Sequence, residues 1–186
     1  LRRSFLYVKI SEVDGILWRG EFSMKQKTAY LGLFTAVAII FGYVETLIPV
    51  FAGIPGIKLG LANLSVLFIL ERYSLKEATL VSAVRILVIG FLFGNMFSIL
   101  YSLAGAALSL IVMALVKKFS DFSIPVISVA GGVTHNVGQL LVAMVIVENT
   151  SLLYYAPALL VSGVITGLLI GWLTDEVQKR VPVSYS

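Results

Sequence analysis

Seven polar or charged side chains interrupt an otherwise apolar sequence. They are Glu45, Lys58, Asn63, Arg85, His135, Asn136 and Gln139. Such groups are expensive to bury in an apolar environment and usually mark a functional site. The two cations are suited to binding an anionic or carboxylate-bearing group, and the amides and the imidazole are suited to orienting a solute by hydrogen bonds. The set predicts a binding site for a small polar solute, on which the rings of Tyr43 or Tyr101 could stack.

Structural roles compete with binding for several of these residues. Glu45 either pairs with Arg85 as an intramembrane ion pair or meets a cationic group of the solute. His135 has the alternative of bonding a carbonyl of a neighbouring helix. Asn63 has the alternative of capping a short helix, and Lys58 that of reaching lipid headgroups. The residue types alone leave these alternatives open.

The composition places these residues in a membrane. Of the 186 residues, 59% are hydrophobic and only 13% are charged, and the mean hydropathy is +0.98. This is too little polar surface for a soluble domain of this length, so the sequence predicts an all-α integral membrane protein. The chain has no cysteine, which excludes disulfides and thiol catalysis, and its single histidine excludes a multi-histidine metal site. We expect no cofactor and no bound metal.

Six apolar segments are predicted to cross the membrane. They are Thr28–Ile48, Leu61–Tyr73, Leu75–Gly94, Asn95–Val116, Ile124–Val147 and Leu152–Val177. With both termini in the cytoplasm, nearly all the lysines and arginines flank the cytoplasmic ends of these segments, as the positive-inside rule requires. Lys58 and Arg85 are the exceptions. The polar residues then fall in the outer half of the membrane, which predicts a pocket open to the outside and closed toward the cytosol.

The two ends of the sequence differ from this membrane domain, residues 24–181. Residues 1–23 mix charged and apolar residues without an apolar core, and Met24 opens a normal membrane-protein start. One hypothesis is that 1–23 is a leader upstream of the true initiator; the other is that it is a cytoplasmic tail. Residues 182–186 are expected to form a short cytoplasmic tail.

Helical spacing supports convergence of the polar residues. Ser128, Gly132, His135 and Gln139 are separated by four, three and four positions, so they share one helix face. Ser98, Ser102, Gly105 and Ser109 form a similar small and polar stripe. Small residues also recur every fourth position at Gly163, Gly167 and Gly171, and at Gly32 and Ala36. Such ridges allow close helix packing, either within the chain or against another membrane protein.

Four motifs in order resemble the Gx transporter family, which is often labelled heptaprenyl diphosphate synthase component I. They are "PGIKLGLANL", "VRILVIG" around Arg85, "YSLAGAALS" and "GGVTHNVGQL". The resemblance runs from Met24 to about Val181. That family is grouped with the substrate-binding S components of energy-coupling factor (ECF) transporters. The resemblance implies a six-helix S-component-like bundle, a first loop that covers an outward-facing pocket, and docking of a transmembrane coupling subunit on Gly32 and Ala36.

Two functions from different classes follow. The first is a membrane-embedded solute-binding subunit in a prokaryotic cell membrane, driven by separate coupling and ATPase subunits, because the sequence contains no phosphate-binding loop. The second is a non-catalytic accessory subunit of heptaprenyl diphosphate synthesis, because the aspartate-rich motif that holds magnesium on a diphosphate is missing. A weaker third option is an independent proton-coupled carrier that uses Glu45 and His135. We expect no enzymatic activity and no nucleic-acid partner.

Overall fold

The computed structural model describes residues 24–47, 59–119 and 121–181. Within these ranges the chain forms six α-helices and one 3-10 turn, so the predicted all-α fold is confirmed. The α-helices are α1 (Met24–Leu47), α2 (Leu61–Arg72), α3 (Leu75–Phe93), α4 (Met96–Phe119), α5 (Ile124–Val147) and α6 (Ala156–Arg180), and the 3-10 turn is Thr150–Tyr155. The remaining residues, including 1–23, Lys58 and 182–186, lie outside the described part.

Local sequence explains where the helices begin and end. Ser74 caps α3 by accepting a hydrogen bond from the Lys76 N–H, and Asn95 does the same for α4 through the Ser98 N–H at 2.8 Å. A proline lies in the first turn of α5 and of α6, where its missing N–H costs no hydrogen bond. The predicted segments therefore match the helices to within a few residues.

Among the described residues, four stretches are long and apolar enough to cross a membrane. They are Lys27–Leu47, Met96–Phe119, Ile124–Val147 and Thr150–Arg180. The helix α2 has 12 residues, which at about 1.5 Å per residue is shorter than the hydrocarbon core. The 19-residue α3 carries Lys76, Glu77 and Arg85. Six full spans therefore remain a prediction, while the exposed apolar side chains along the outer faces of the helices agree with a membrane environment.

The short helix α2 forms the centre of the bundle. It packs against α1, α3 and α6, and the other helices follow one another around it in chain order. Residues 65–70 of α2 are all buried. Residues 66–70 join Phe34, Ala38, Val81 and Ile127 in the main apolar core. This burial on every side explains why α2 lacks the polar face that a surface helix would show.

The bundle has two chemically different ends. At the charged end, where α2 and α6 finish and α3 begins, Lys27 meets Glu77 at 2.6 Å and Lys117 meets Glu71 at 3.1 Å. The Lys117 ammonium also donates to the Leu70 carbonyl at the end of α2. The apolar core lies behind this charged end. The opposite end, where α1 finishes and α2 begins, is called the cavity end below.

The glycine ridge of α6 is used within the chain. A methyl group on Gly163 would lie 2.9 Å from the Gly132 carbonyl oxygen, and one on Gly167 would lie 2.7 Å from Val129 Cα. One on Gly171 would meet Pro125 at a similarly short distance. Backbone atoms of α5 therefore occupy the space that side chains on this ridge would need, which favours packing within the chain over docking for α6.

Candidate functional site

One cavity at the cavity end gathers six of the seven predicted binding residues. It has a volume of about 110 Å³ and is bordered by all six α-helices. The predicted residues in its wall are Glu45, Asn63, Arg85, His135, Asn136 and Gln139. The seventh, Lys58, lies outside the described residues. The helices thus bring together side chains that are up to 94 positions apart, from Glu45 to Gln139, but their role in binding stays a prediction.

Arg85 is the cation of the described cavity wall. Its Nη2 donates to Asn63 Oδ1 at 3.2 Å, and its Nε is buried without a hydrogen-bond partner among the described residues. No ion pair joins Arg85 to a carboxylate within those residues, although Glu45 is near enough to act on it electrostatically. Arg85 therefore retains donor capacity at the cavity wall, which a structural ion pair would have used.

Asn63 holds Arg85 and does not cap its helix. The residue that precedes α2 is Gly60, whose φ of 76° lies in the left-handed region that glycine adopts easily. The Asn63 N–H donates to the Gly60 carbonyl at 2.9 Å, and its side-chain oxygen is left to accept from Arg85. The capping alternative for the Asn63 side chain is thus not what the structure contains.

Glu45 supplies the helix cap that Asn63 does not. Its Oε1 accepts from the Leu61 N–H at 2.7 Å, at the first turn of α2. A carboxylate in this place satisfies an otherwise unpaired donor and is favoured by the helix dipole. Glu45 therefore ties the end of α1 to the start of α2, a role that neither sequence interpretation, the ion pair or the solute contact, included.

His135 and Gln139 reach the cavity because α4 has a glycine opposite them. A methyl group on Gly105 would lie 2.7 Å from Gln139 Cγ and 2.9 Å from the His135 carbonyl oxygen. Gln139 is only 2% exposed, so its amide is enclosed where it borders the cavity. His135 and Gln139 therefore lie on one face of α5, as predicted, and this face packs against α4 at Gly105.

Asn136 is committed to the fold as well as to the cavity. Its Nδ2 donates to the Leu159 carbonyl at 2.7 Å, which joins α5 to α6. This is the carbonyl bond that the sequence suggested as an alternative for His135. The side-chain oxygen of Asn136 remains the atom of this amide that could accept a hydrogen bond from a solute.

Two aromatic residues and one ridge lie elsewhere. Tyr43 packs on Phe93 with ring centroids 4.6 Å apart, and Tyr101 packs on Phe97 at 5.9 Å. Neither tyrosine is part of the cavity wall, so stacking on a solute there has no support.

Gly32 and Ala36 lie on an exposed face of α1, and nothing lies within 4 Å of a methyl group built on Gly32. Docking on this face stays a prediction.

Sequence reasoning missed some of the cavity wall. Thr46, Gly60 and Thr166 border the cavity, as do Ser98 and Ser102 of the small and polar stripe. Thr166 lies three positions after Gly163 on the face of α6 that packs on α5, and this spacing was the available signal. No group of three metal-ligating side chains is found in the described part of the chain.

The chain was compared with known proteins at the level of families, curated sequences and structures. The family model described as heptaprenyl diphosphate synthase component I matches residues 34–177, a range that includes the six predicted binding residues in the cavity wall. Neither a curated protein nor a solved structure matches the chain. Because the family match covers most of the sequence, the chain belongs to the heptaprenyl diphosphate synthase component I family.

Proposed function

We propose that the chain is a membrane-embedded solute-binding subunit of an ECF-type importer, which captures a small polar or anionic solute from outside the cell. The observation that carries this proposal is a cavity into which all six α-helices of the described part of the chain place residues. Arg85 would bind an anionic group of the solute. His135, Gln139 and Asn136 would orient the solute by hydrogen bonds, as would Asn63, which also positions Arg85.

The size of the cavity supports a small solute. A water position needs about 10–15 Å³ by this measure, so about 110 Å³ corresponds to a solute of on the order of ten non-hydrogen atoms. Vitamins, their precursors and amino acid derivatives are in this range. The cavity lies at one end of the bundle and the apolar core at the other, as expected for a subunit that binds from one side and needs a partner to release its solute.

The family description favours a second candidate, a non-catalytic accessory subunit of heptaprenyl diphosphate synthesis. A heptaprenyl chain is several times larger than the described cavity, so this function would have to use a different surface. The sequence also lacks the aspartate-rich motif that prenyl transfer requires. The missing motif is the reason that this subunit would be non-catalytic, and it is the size of the cavity that favours the solute-binding subunit.

Identification of the bound compound is the most direct test. The full chain would be purified from its native membrane in mild detergent, and the small molecules released on denaturation would be identified by mass spectrometry. We expect a small anion or zwitterion whose binding is lost in Arg85→Ala and kept in Arg180→Ala, which removes the same charge from an exposed position far from the cavity. Equal affinity in both variants would refute the assignment of Arg85.

Co-purification separates the two candidates. Coupling and ATPase subunits retained on the tagged chain would support the importer, and a prenyltransferase retained in their place would support the accessory subunit. The Gly32→Leu variant places a bulky side chain on the exposed face of α1 where nothing lies nearby, so it should weaken coupling-subunit retention without loss of solute binding.

The proposed orientation places both termini and the charged end of the bundle in the cytoplasm. The chain has no cysteine, so single cysteines can be introduced without removing others. Tyr154→Cys at the cavity end and Phe119→Cys at the charged end both replace exposed aromatic residues. A membrane-impermeant maleimide should label the first and spare the second in intact cells, and the reverse pattern would invert the proposed direction of binding.

A further inference from the structure

A second chamber continues the cavity into the interior of the bundle. It has a volume of about 40 Å³ and shares Asn63, His135 and Thr166 with the cavity described above. It will be called the inner chamber. No sequence argument assigned a function to it, and it differs from the outer cavity in shape and in chemistry.

Helix geometry gives the direction and reach of the inner chamber. Ser128 of α5 lies seven residues before His135, and Ser109 of α4 lies seven residues after Ser102. At about 1.5 Å of rise per residue, both serines are about 10 Å further toward the charged end than the residues of the outer cavity. The whole binding space is therefore elongated along the bundle axis.

Three serine hydroxyl groups line the inner chamber, beside the Thr166 hydroxyl that donates to the Ser162 carbonyl. Ser82 is 3% exposed, and Ser109 and Ser128 are each 6% exposed, so all three are enclosed. A helical hydroxyl usually donates to the carbonyl four residues earlier, as Thr134 and Thr166 do here. No side-chain hydrogen bond is found for the three serines within the described residues. Their donor and acceptor capacity is thus directed at the chamber.

The rest of the wall is uncharged. Among the described residues of this wall, the serines are joined by Asn63, Thr166 and several apolar side chains, and His135 is the one titratable group. A charged group would lose its hydration here without meeting a lysine, arginine or carboxylate on the described wall, which is unfavourable. A purely apolar group would leave three enclosed hydroxyls unpaired, which is also unfavourable. The chamber is suited to a small, uncharged group that can form hydrogen bonds.

We propose that the inner chamber is a specificity subsite for the uncharged, hydroxyl-bearing end of an elongated anionic solute. This inference rests on the proposed function, in which the charged end of the same solute binds Arg85. About 40 Å³ accommodates about three or four non-hydrogen atoms. Ser82, Ser109 and Ser128 bind the hydroxyl end, and the length of the solute is set by the path from Arg85 to these serines.

A series of simple acids tests the subsite. Straight-chain carboxylates of increasing length, each with a methyl end or with an ω-hydroxyl end, would be titrated into the purified full chain by calorimetry. Affinity should rise with length to an optimum and then fall. At the optimum the ω-hydroxy acid should bind up to about tenfold tighter than the methyl-ended acid of equal length, as expected for hydrogen bonds to enclosed hydroxyls.

The variants decide which conclusion holds. Ser82→Ala combined with Ser109→Ala should remove the preference for the ω-hydroxyl, whereas Ser162→Ala, a buried serine outside both chambers, should keep it. If acids bind through Arg85 without a hydroxyl preference, or if the double variant keeps that preference, the subsite is overturned and the proposed function stands. If no acid shows binding that Arg85→Ala abolishes, the proposed function falls together with the subsite.

Discussion

The contact between α5 and α6 yields a quantitative prediction about the wall of the cavity. In the variant Gly163→Ala, the new methyl group would lie 2.9 Å from the Gly132 carbonyl oxygen and 2.9 Å from Val133 Cα. Ordinary carbon–oxygen contacts are about 3.3–3.6 Å, and carbon–carbon contacts are about 3.5–4.0 Å. The two helices must therefore separate by about 0.5–1 Å, because the opposing atoms are backbone and cannot rotate away.

Such overpacking costs about 1–3 kcal/mol. The matched control is Gly32→Ala on α1, where nothing lies within 4 Å of the added methyl group. Alanine is favoured over glycine inside a helix by about 0.8–1.0 kcal/mol, so the control should be neutral or stabilised. Gly163→Ala gains the same helix propensity, so the two variants should differ by the overpacking cost alone. At about 2–4 °C per kcal/mol, this is a difference in Tm of about 2–12 °C.

The assay is thermal unfolding of both variants in the same detergent, followed by loss of the monodisperse peak in size-exclusion chromatography. We expect Gly163→Ala to unfold below the wild-type protein and Gly32→Ala to unfold at or above it. Equal Tm values for the two variants would show that α5 and α6 are not in backbone contact. The arrangement of His135 and Gln139 on α5 beside Thr166 on α6 depends on that contact and would then be wrong.

Three further changes test individual side chains of the structure. Asn63→Asp places a carboxylate about 3.2 Å from Arg85, so the affinity for an anion should fall by tenfold or more, and Asn63→Ala should lose less. Calorimetry with the co-purified compound measures both affinities. An Asn63→Asp variant that binds normally would exclude Arg85 as the anion contact. Glu45→Gln keeps an acceptor for the first turn of α2 and should retain the wild-type Tm. Glu45→Leu removes the acceptor and should lower the free energy of unfolding by about 1 kcal/mol. An equal loss of stability in the two variants would argue against the helix cap. Hydrogen bonds from Lys27 and Ser74 lower the pKa of Glu77 to about 2 from 4.5, so its contribution to stability is present above about pH 4.5 and is lost as the pH falls toward 2. The Tm deficit of Glu77→Gln should therefore shrink on acidification, and a constant deficit would contradict that pKa.

The helices were predictable from sequence because their boundaries carry local signals. The prediction for α5, Ile124–Val147, matches its observed bounds, since the polar stretch "KKFSD" precedes it and "ENT" follows it. Helical periodicity also placed His135 and Gln139 on one face, and the structure puts both in the cavity wall. The face on which a residue lies is a local property of a helix, so a single sequence contains enough information to estimate it.

The partner of each polar side chain was not predictable in the same way. Glu45 bonds the N–H of Leu61, 16 positions away, and Asn136 bonds the carbonyl of Leu159, 23 positions away. Which backbone groups lie within reach of a side chain depends on how the helices pack, and no residue type in the sequence marks those groups. The inner chamber was missed for a related reason, because serines spaced along a helix are more often explained by packing.

The cost of keeping Arg85 in the bundle is an argument for a further hydrogen-bond partner beyond the residues that the structure describes. An enclosed guanidinium is tolerated when a carboxylate or several acceptors surround it. Within the described residues its hydrogen-bond partner is the neutral amide of Asn63, while the nearest described carboxylate, that of Glu45, is held by the start of α2. The described residues thus leave the desolvation of this charge only partly compensated. A solute anion that completes the hydrogen bonding of Arg85 would recover that free energy on binding, and this would couple solute capture to stabilisation of the bundle.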